Sequence, residues 1–280
     1  MRSLPLYELC LYSGSCNRAA KCCTHSQATL NRAHRDIEDL LATAARNNFI
    51  DLLGALRTFS QELRSALRLC RVEIDPYIPL SINDTSLQIE IWARSESNLS
   101  RSLYLLRDRI VDVFVGSLYD LEMEQRRQSL QVEGVELMAE VLIYIPLWRI
   151  GPVAALPDED AQPNTLLVDP EVCHPKLARR LKQLGYQVQI SSDRRVRQKQ
   201  ANMLKLVSHL QVPALPIPAE LRVFGTEPVD KDVIGMVFSA SYCEAQPCFK
   251  EMMSTLAKHL LRGLQAEVQL ADQKLSRGEA

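Results

Sequence analysis

Apolar positions recur at helical spacing through the first quarter of the chain. Leu30, Ala33, Ile37, Leu40 and Ala44 step by three and four residues. Phe49, Leu52, Leu56, Phe59, Leu63 and Ala66 repeat the step after Asn47-Asn48. Each set falls on one stripe of a helix, which predicts two helices, or one kinked helix, from about Thr29. Asp75-Pro76-Tyr77-Ile78-Pro79 cannot be helix interior, because proline lacks the N–H and clashes with the preceding turn. Ser86 to Ile91 alternates with period two, the pattern of a half-buried strand. Helical spacing resumes at Leu99, Leu103, Leu106, Ile110 and Val113 and runs on to Leu118 and Leu121. This predicts a second long helix packed on the first.

Beyond Gly134 the pattern changes. Val141 to Ile145 is apolar and β-branched, as in a strand. Leu156 to Pro163 is an acidic, proline-flanked loop. Thr165 to Val168 reads as a buried strand, and Pro175 to Leu184 as a helix with Leu177, Leu181 and Leu184 on one face. Gly185 stops that helix, and Tyr186 to Ile190 is a further strand. Strand, helix and strand in this order form a βαβ unit with parallel strands and a right-handed crossover. A helix over Arg194 to Leu210, an extended proline-rich stretch from Val212 to Pro218, a strand at Val233–Phe238, a helix from Pro247 to Leu264 and a short strand at Glu267–Leu270 complete the reading. The predicted fold class is α+β or α/β: an N-terminal long-helix hairpin or bundle, then a small α/β domain with a partly parallel sheet. The expected divisions are a Cys-rich leader over 1–26, the helical unit over 27–135, the α/β domain over 136–270 and a disordered tail over 271–280.

The chain has 280 residues, is 46% hydrophobic and carries 33 basic against 34 acidic side chains. That is enough apolar matter for a core, and the near-neutral balance gives no global field toward nucleic acid or membrane. No apolar run approaches the roughly 18 residues needed to span a bilayer, and Glu8 interrupts the short apolar start. These features predict an intracellular, cytoplasmic protein whose eight cysteines are mostly free thiols. Nucleotide-binding glycine loops, the zinc-protease pair and the serine-hydrolase elbow are all absent from the sequence.

Four clusters carry chemistry. Cys10, Cys16, Cys22 and His25, with Cys23 beside them, supply ligands of the kind zinc takes, though without a C-x2-C knuckle; unpaired thiols are the plainer reading. Between Glu171 and Leu206 nine basic residues face two acidic ones. Lys176, Arg179, Arg180, Lys182, Arg194, Arg195, Arg197 and Lys199 form the body of this patch, which suits a nucleic acid or another phosphate-bearing ligand or is simply a solvated face. Asp169, Cys173 and His174 follow a predicted parallel strand, where α/β folds place ligands.

The fourth cluster is the run from Val237 to Phe249, with Cys243 and Cys248 between a strand and a helix. It resembles the redox segment of thioredoxin-like proteins, where strand, aromatic and small residues, Cys, Pro-Cys and helix follow in that order. The resemblance covers some 25 residues and implies Cys243 as nucleophile and Cys248 as resolving thiol. The spacing here is C-x4-C, two residues longer than in that family.

With the common catalytic motifs missing and amphipathic helices long, the sequence points to a non-catalytic interaction or assembly subunit with a protein partner. No cofactor is expected. The alternatives are a thiol-redox enzyme using Cys243 and Cys248, and an anion or nucleic-acid binder using the patch at 176–205.

Overall fold

A computed structural model describes residues 3–13, 15–22, 25–44, 49–75, 78, 87–93, 99–152, 165–168, 175–190, 204–210, 221–224 and 228–277. The N-terminal part is helical: α1 (Ser3–Ser13), α2 (Cys16–Cys22), α3 (Gln27–Ala44) and α4 (Phe49–Ala66). The chain then turns through Leu67-Arg68 into β1 (Leu69–Ile74), with Arg68 in the left-handed region at φ 54°.

The rest is one ten-stranded sheet. Its main path holds β2 (Gln88–Ala93), β1, β3 (Val113–Ser117), β10 (Asp230–Ser239), β5 (Val135–Pro152), β8 (Leu204–Ser208), β6 (Thr165–Val168) and β7 (Gln187–Ile190), in that order. β4 (Arg127–Val132) and β9 (Leu221–Phe224) pair with β5 off this path. β2, β1 and β3 are mutually parallel, as are β7, β6 and β8. The long antiparallel strands β5 and β10 lie between these two parallel groups.

Alternation along the central strands sorts the core into two faces. Val72, Val113, Val115, Met236 and Phe238 meet Phe249, Met252, Leu256 and Leu260 of the C-terminal helix α8 (Pro247–Arg277). Phe114, Leu137, Ala139 and Val237 face the other way, onto Leu105 and Leu106 of α5 (Leu99–Arg107) and onto Leu9 and Tyr12 of α1. Leu177 and Leu181 of α6 (Pro175–Gln183) cover Leu166, Val168 and Leu206. Gly116 is glycine because a Cβ there would sit 2.2 Å from Asp75 Oδ2.

A mixed α and β chain with a partly parallel sheet is what the hydrophobic pattern predicts, but the N-terminal long-helix hairpin is not confirmed: its first arm is α3 and α4, and the long helix expected over 99–121 does not form. α5 stops at Arg107, Arg109 takes φ 58°, and the chain re-enters the sheet as β3. Residues 111–118 are all buried, so the apolar positions at 110, 113 and 118 belong to a continuous buried run, not to a helix face. The predicted leader is α1 and α2. The C-terminal helix continues to Arg277 through the strand expected at 267–270 and most of the expected tail. The helix expected up to Leu210 is strand β8 where it is described. The predicted βαβ unit is present as β6, α6 and β7 with parallel strands, and Gly185 takes φ 89°. The expected loops at 156–163 and 212–218 lie outside the described residues.

Two buried arginines join the helices to the sheet. Arg71 on β1 donates Nη1 to Glu8 Oε2 of α1 (2.6 Å) and to the Ile110 carbonyl (2.9 Å), and Nε to Glu90 Oε2 of β2 (2.9 Å). Its guanidinium lies 4.5 Å from the Trp92 ring centroid, and Trp92 Nε1 donates to Glu90 Oε1. Arg64 on α4 forks onto Asp112, Nε to Oδ2 at 2.9 Å and Nη2 to Oδ1 at 2.8 Å, and Asp112 Oδ2 also accepts the Arg71 backbone N–H. Removing one member of a buried pair strands the other charge. Arg71→Ala is therefore expected to lower unfolding free energy by about 3–5 kcal/mol in urea titrations. Arg262→Ala, at an exposed position on α8, should change it by about 0.5 kcal/mol or less. Equal effects would mean that the Arg71 network contributes nothing.

Candidate nucleic-acid interface

The residues of the predicted leader build a three-helix unit with α3. Ser15 Oγ accepts the Arg18 N–H at 3.2 Å, and Ser26 Oγ accepts the Thr29 N–H at 3.2 Å. Each serine thereby satisfies a donor in the first turn of its helix, α2 and α3 respectively. Ala19 of α2 and Leu30 of α3 are fully buried, and Ala33 and Ile37 continue the inward stripe of α3 toward α1. Small residues at 19 and 33 let the helices approach closely. His34 packs on Tyr7 at 5.1 Å between ring centroids and meets Glu38 Oε2 at 3.2 Å. α2 and α3 pack on each other, and both pack on α1.

The outer face of α3 is polar and divided by charge. Gln27, Thr29, Asn31, Arg32 and Arg35 are exposed in its first half, with Arg18 exposed on α2. Asp36, Glu38 and Asp39 are exposed further along. The cationic end is therefore the N-terminal end, where unpaired backbone N–H groups also favour an anion. Gln and Asn present the donor–acceptor pair that matches adenine, and Arg the fork that matches guanine.

The sequence-predicted sites fare differently. Cys10 is buried in the apolar contact of α1, Cys16 begins α2, His25 is exposed, and nothing is described of the Cys22 side chain. Among the described residues no three His, Cys, Asp or Glu side chains gather as a metal site would require. Lys176, Arg179 and Arg180 line one small surface cavity of about 350 Å3 with Tyr119, Glu122 and Gln183. Lys176 Nζ is held by Glu122 Oε1 at 2.7 Å, a hydrogen bond that lowers the Glu122 carboxyl below its usual range. Asp120 Oδ1 accepts the Lys176 N–H, so a carboxylate already occupies the start of α6. Burial, then the hydrogen bond to Asp230, pushes the Tyr119 phenol up. Lys182 is exposed on α6. Arg194, Arg195, Arg197 and Lys199, like Asp169, Cys173 and His174, lie outside the described residues.

Cys243 sits inside the short helix α7 (Ala240–Ala245) and Cys248 in the first turn of α8; both are free thiols. Burial pushes the Cys243 thiol up, whereas a thioredoxin-type nucleophile needs it pulled down. Cys248 Sγ donates to the Ser65 carbonyl at 3.3 Å. Neither contact activates a thiol of this pair.

No protein-family model and no curated protein matches the chain. Solved structures do. A cysteine-to-serine variant of OxyR from Corynebacterium glutamicum, with H2O2 bound, aligns at a TM-score of 0.53 and 18% identity, over 97% of this chain and 94% of that one. Full-length OxyR from Pseudomonas aeruginosa, a cysteine-to-aspartate variant, aligns at 0.51 and 14% identity, over 93% and 94%. Full-length CbnR in complex with its target DNA aligns at 0.50 and 13% identity, over 92% and 99%. At these identities the likeness is one of fold, and it takes in the N-terminal helices as well as the sheet.

This finding overturns the assembly-subunit expectation and the scaffold description that went with it. That reading rested on a long-helix hairpin, of which the chain forms the first arm as α3 and α4 while the second gives way to α5, β3 and β4. CbnR, which shares the fold, is seen with its target DNA. Among the described residues no helix is long and apolar enough to cross a membrane.

The raised Cys243 thiol has a measurable consequence. Burial favours the protonated thiol, so Cys243 becomes nucleophilic only at more alkaline pH than an ordinary thiol. Iodoacetamide labelling followed by mass spectrometry should show slow, unselective modification of Cys243 at pH 6–7 and faster modification at alkaline pH. Selective labelling near pH 6 would restore the redox reading.

Proposed function

We propose that this chain is a DNA-binding transcriptional regulator that reads duplex DNA with α3. The observation carrying the reading is the outer face of α3: a polar, cationic N-terminal half on a capped helix whose inward residues pack it against α1. Helices of this kind enter the major groove N-terminal end first, with the preceding helix across the backbone. In this arrangement Arg18 on α2 faces phosphate, while Gln27, Asn31 and Arg32 are placed for base edges. CbnR, which shares the fold, is seen with its target DNA, and this supports the same use of the N-terminal helices here. The basic side chains of α6 are not needed for it.

The test is fluorescence anisotropy of the full chain with duplexes selected from a random-sequence pool. Arg32→Ala should weaken the selected duplex by about 1–3 kcal/mol and relax base preference at one position. Arg18→Ala should weaken all duplexes alike and reduce the salt slope by about one. A chain that selects no duplex, or whose binding is unmoved by Arg18→Ala, Arg32→Ala and Arg35→Ala together, would refute the proposal.

A further inference from the structure

On the sheet face covered by the C-terminal helix, packing is incomplete at one end. A cavity of about 510 Å3 opens between β4–β5, the end of β10 and α8. It is far larger than the voids left in a packed core, and it lies in the size range of small-molecule sites. Its floor is apolar. Met138 and Leu142 project from β5 at period two, Phe238 from β10, and Met253, Ala257 and Leu261 from α8 at helical spacing. Ala257, facing the cavity from mid-helix, leaves room that a larger side chain would take.

The rim is cationic. Arg126, Arg127, Lys250 and Lys258 border the opening against two carboxylates, Glu140 and Glu244. Glu140 already accepts from Arg127 Nη2, at 2.9 Å through its Oε2, and Arg126 Nε donates to the Val141 carbonyl. Lys250 and Lys258 are exposed and have no ion-pair partner among the described residues. They stand eight residues apart on one helix face, about 12 Å along the axis, with Ser254 midway between them. Four-carbon stems let both ammonium groups reach toward the point above Ser254.

An apolar floor beneath two unpaired cations selects for one ligand chemistry. We propose that this cavity binds a small carboxylic acid with an apolar body, the chain or ring lying on Met138, Phe238 and Met253 and the carboxylate at Lys250 and Lys258. Burial of the apolar body supplies affinity, and the lysines choose an acid over a neutral molecule of the same shape. The site is independent of the DNA reading and is tested without DNA.

The probe is octanoate, titrated calorimetrically into the full chain, with 1-octanol as the uncharged comparison. Octanoate should bind saturably at one site, and octanol at least ten-fold more weakly. Lys250→Gln combined with Lys258→Gln should erase that difference without changing the melting temperature, since both side chains are exposed. Ala257→Trp should abolish octanoate binding by filling the cavity. Cys243 lines the cavity and Cys248 is not among its lining residues, so bound octanoate should slow alkylation of Cys243 several-fold and leave Cys248 unchanged. Octanol binding as tightly as octanoate, Cys243 left unprotected, or no saturable octanoate binding would each overturn the proposal. The lysine variant and the thiol footprint keep it decidable should Ala257→Trp fail to fold.

Discussion

The buried guanidinium of Arg71 is the interaction on which the arrangement of this chain depends. A charge this far from water is tolerable only where every donor is matched. Its partners come from three separated stretches: Glu8 on α1, Glu90 on β2 and the carbonyl of Ile110 before β3. The strand that carries it also hands its backbone N–H to Asp112, which holds Arg64 of α4. Apolar packing between α1 and α5 would tolerate small slips in register. The two arginine–carboxylate sets would not, because each has fixed donor directions. They specify which way the helical unit sits on the sheet.

From that docking follows the placement of the outer face of α3. α1 spends one side on the sheet through Leu9 and Tyr12, and another on α2 and α3. α3 therefore packs inward through Leu30, Ala33 and Ile37 and keeps its polar first half outside. At the opposite side of the sheet α8 closes most of the core, with Phe249, Met252 and Leu256 fully engaged. It leaves the cavity only where Ala257 stands opposite the start of β5.

How much of this could be read in the sequence depended on how each element is buried. The βαβ unit was legible because α6 is amphipathic and Gly185 marks its end. Strands β2 and β10 and the start of α8 were legible for similar reasons. α1 was not, because four consecutive residues from Tyr7 to Cys10 are buried, and a helix covered on several sides shows no single stripe. The run after Arg107 misled in the opposite sense. In a strand buried on both faces every position is apolar, and helical spacing can be picked out of it by chance. α3 did show its stripe, at Leu30, Ala33 and Ile37. The two serine caps at 15 and 26 were the available sign that a shorter helix precedes it, and the neighbouring cysteines drew attention to metal chemistry instead. The cavity had no sequence signature, since it is set by what β5 and α8 fail to fill between them.

The passage from α4 into β1 takes only Leu67 and Arg68, the latter in a left-handed conformation. A joint of two residues has no slack, and it is braced on either side by Arg64 and Arg71. Helical unit and sheet therefore turn as one piece. If two copies of the chain come together, the separation between their α3 helices is dictated by how the sheets and long helices meet. It cannot be adjusted by the reach of a tether, so a change in that meeting is passed on as a change in spacing.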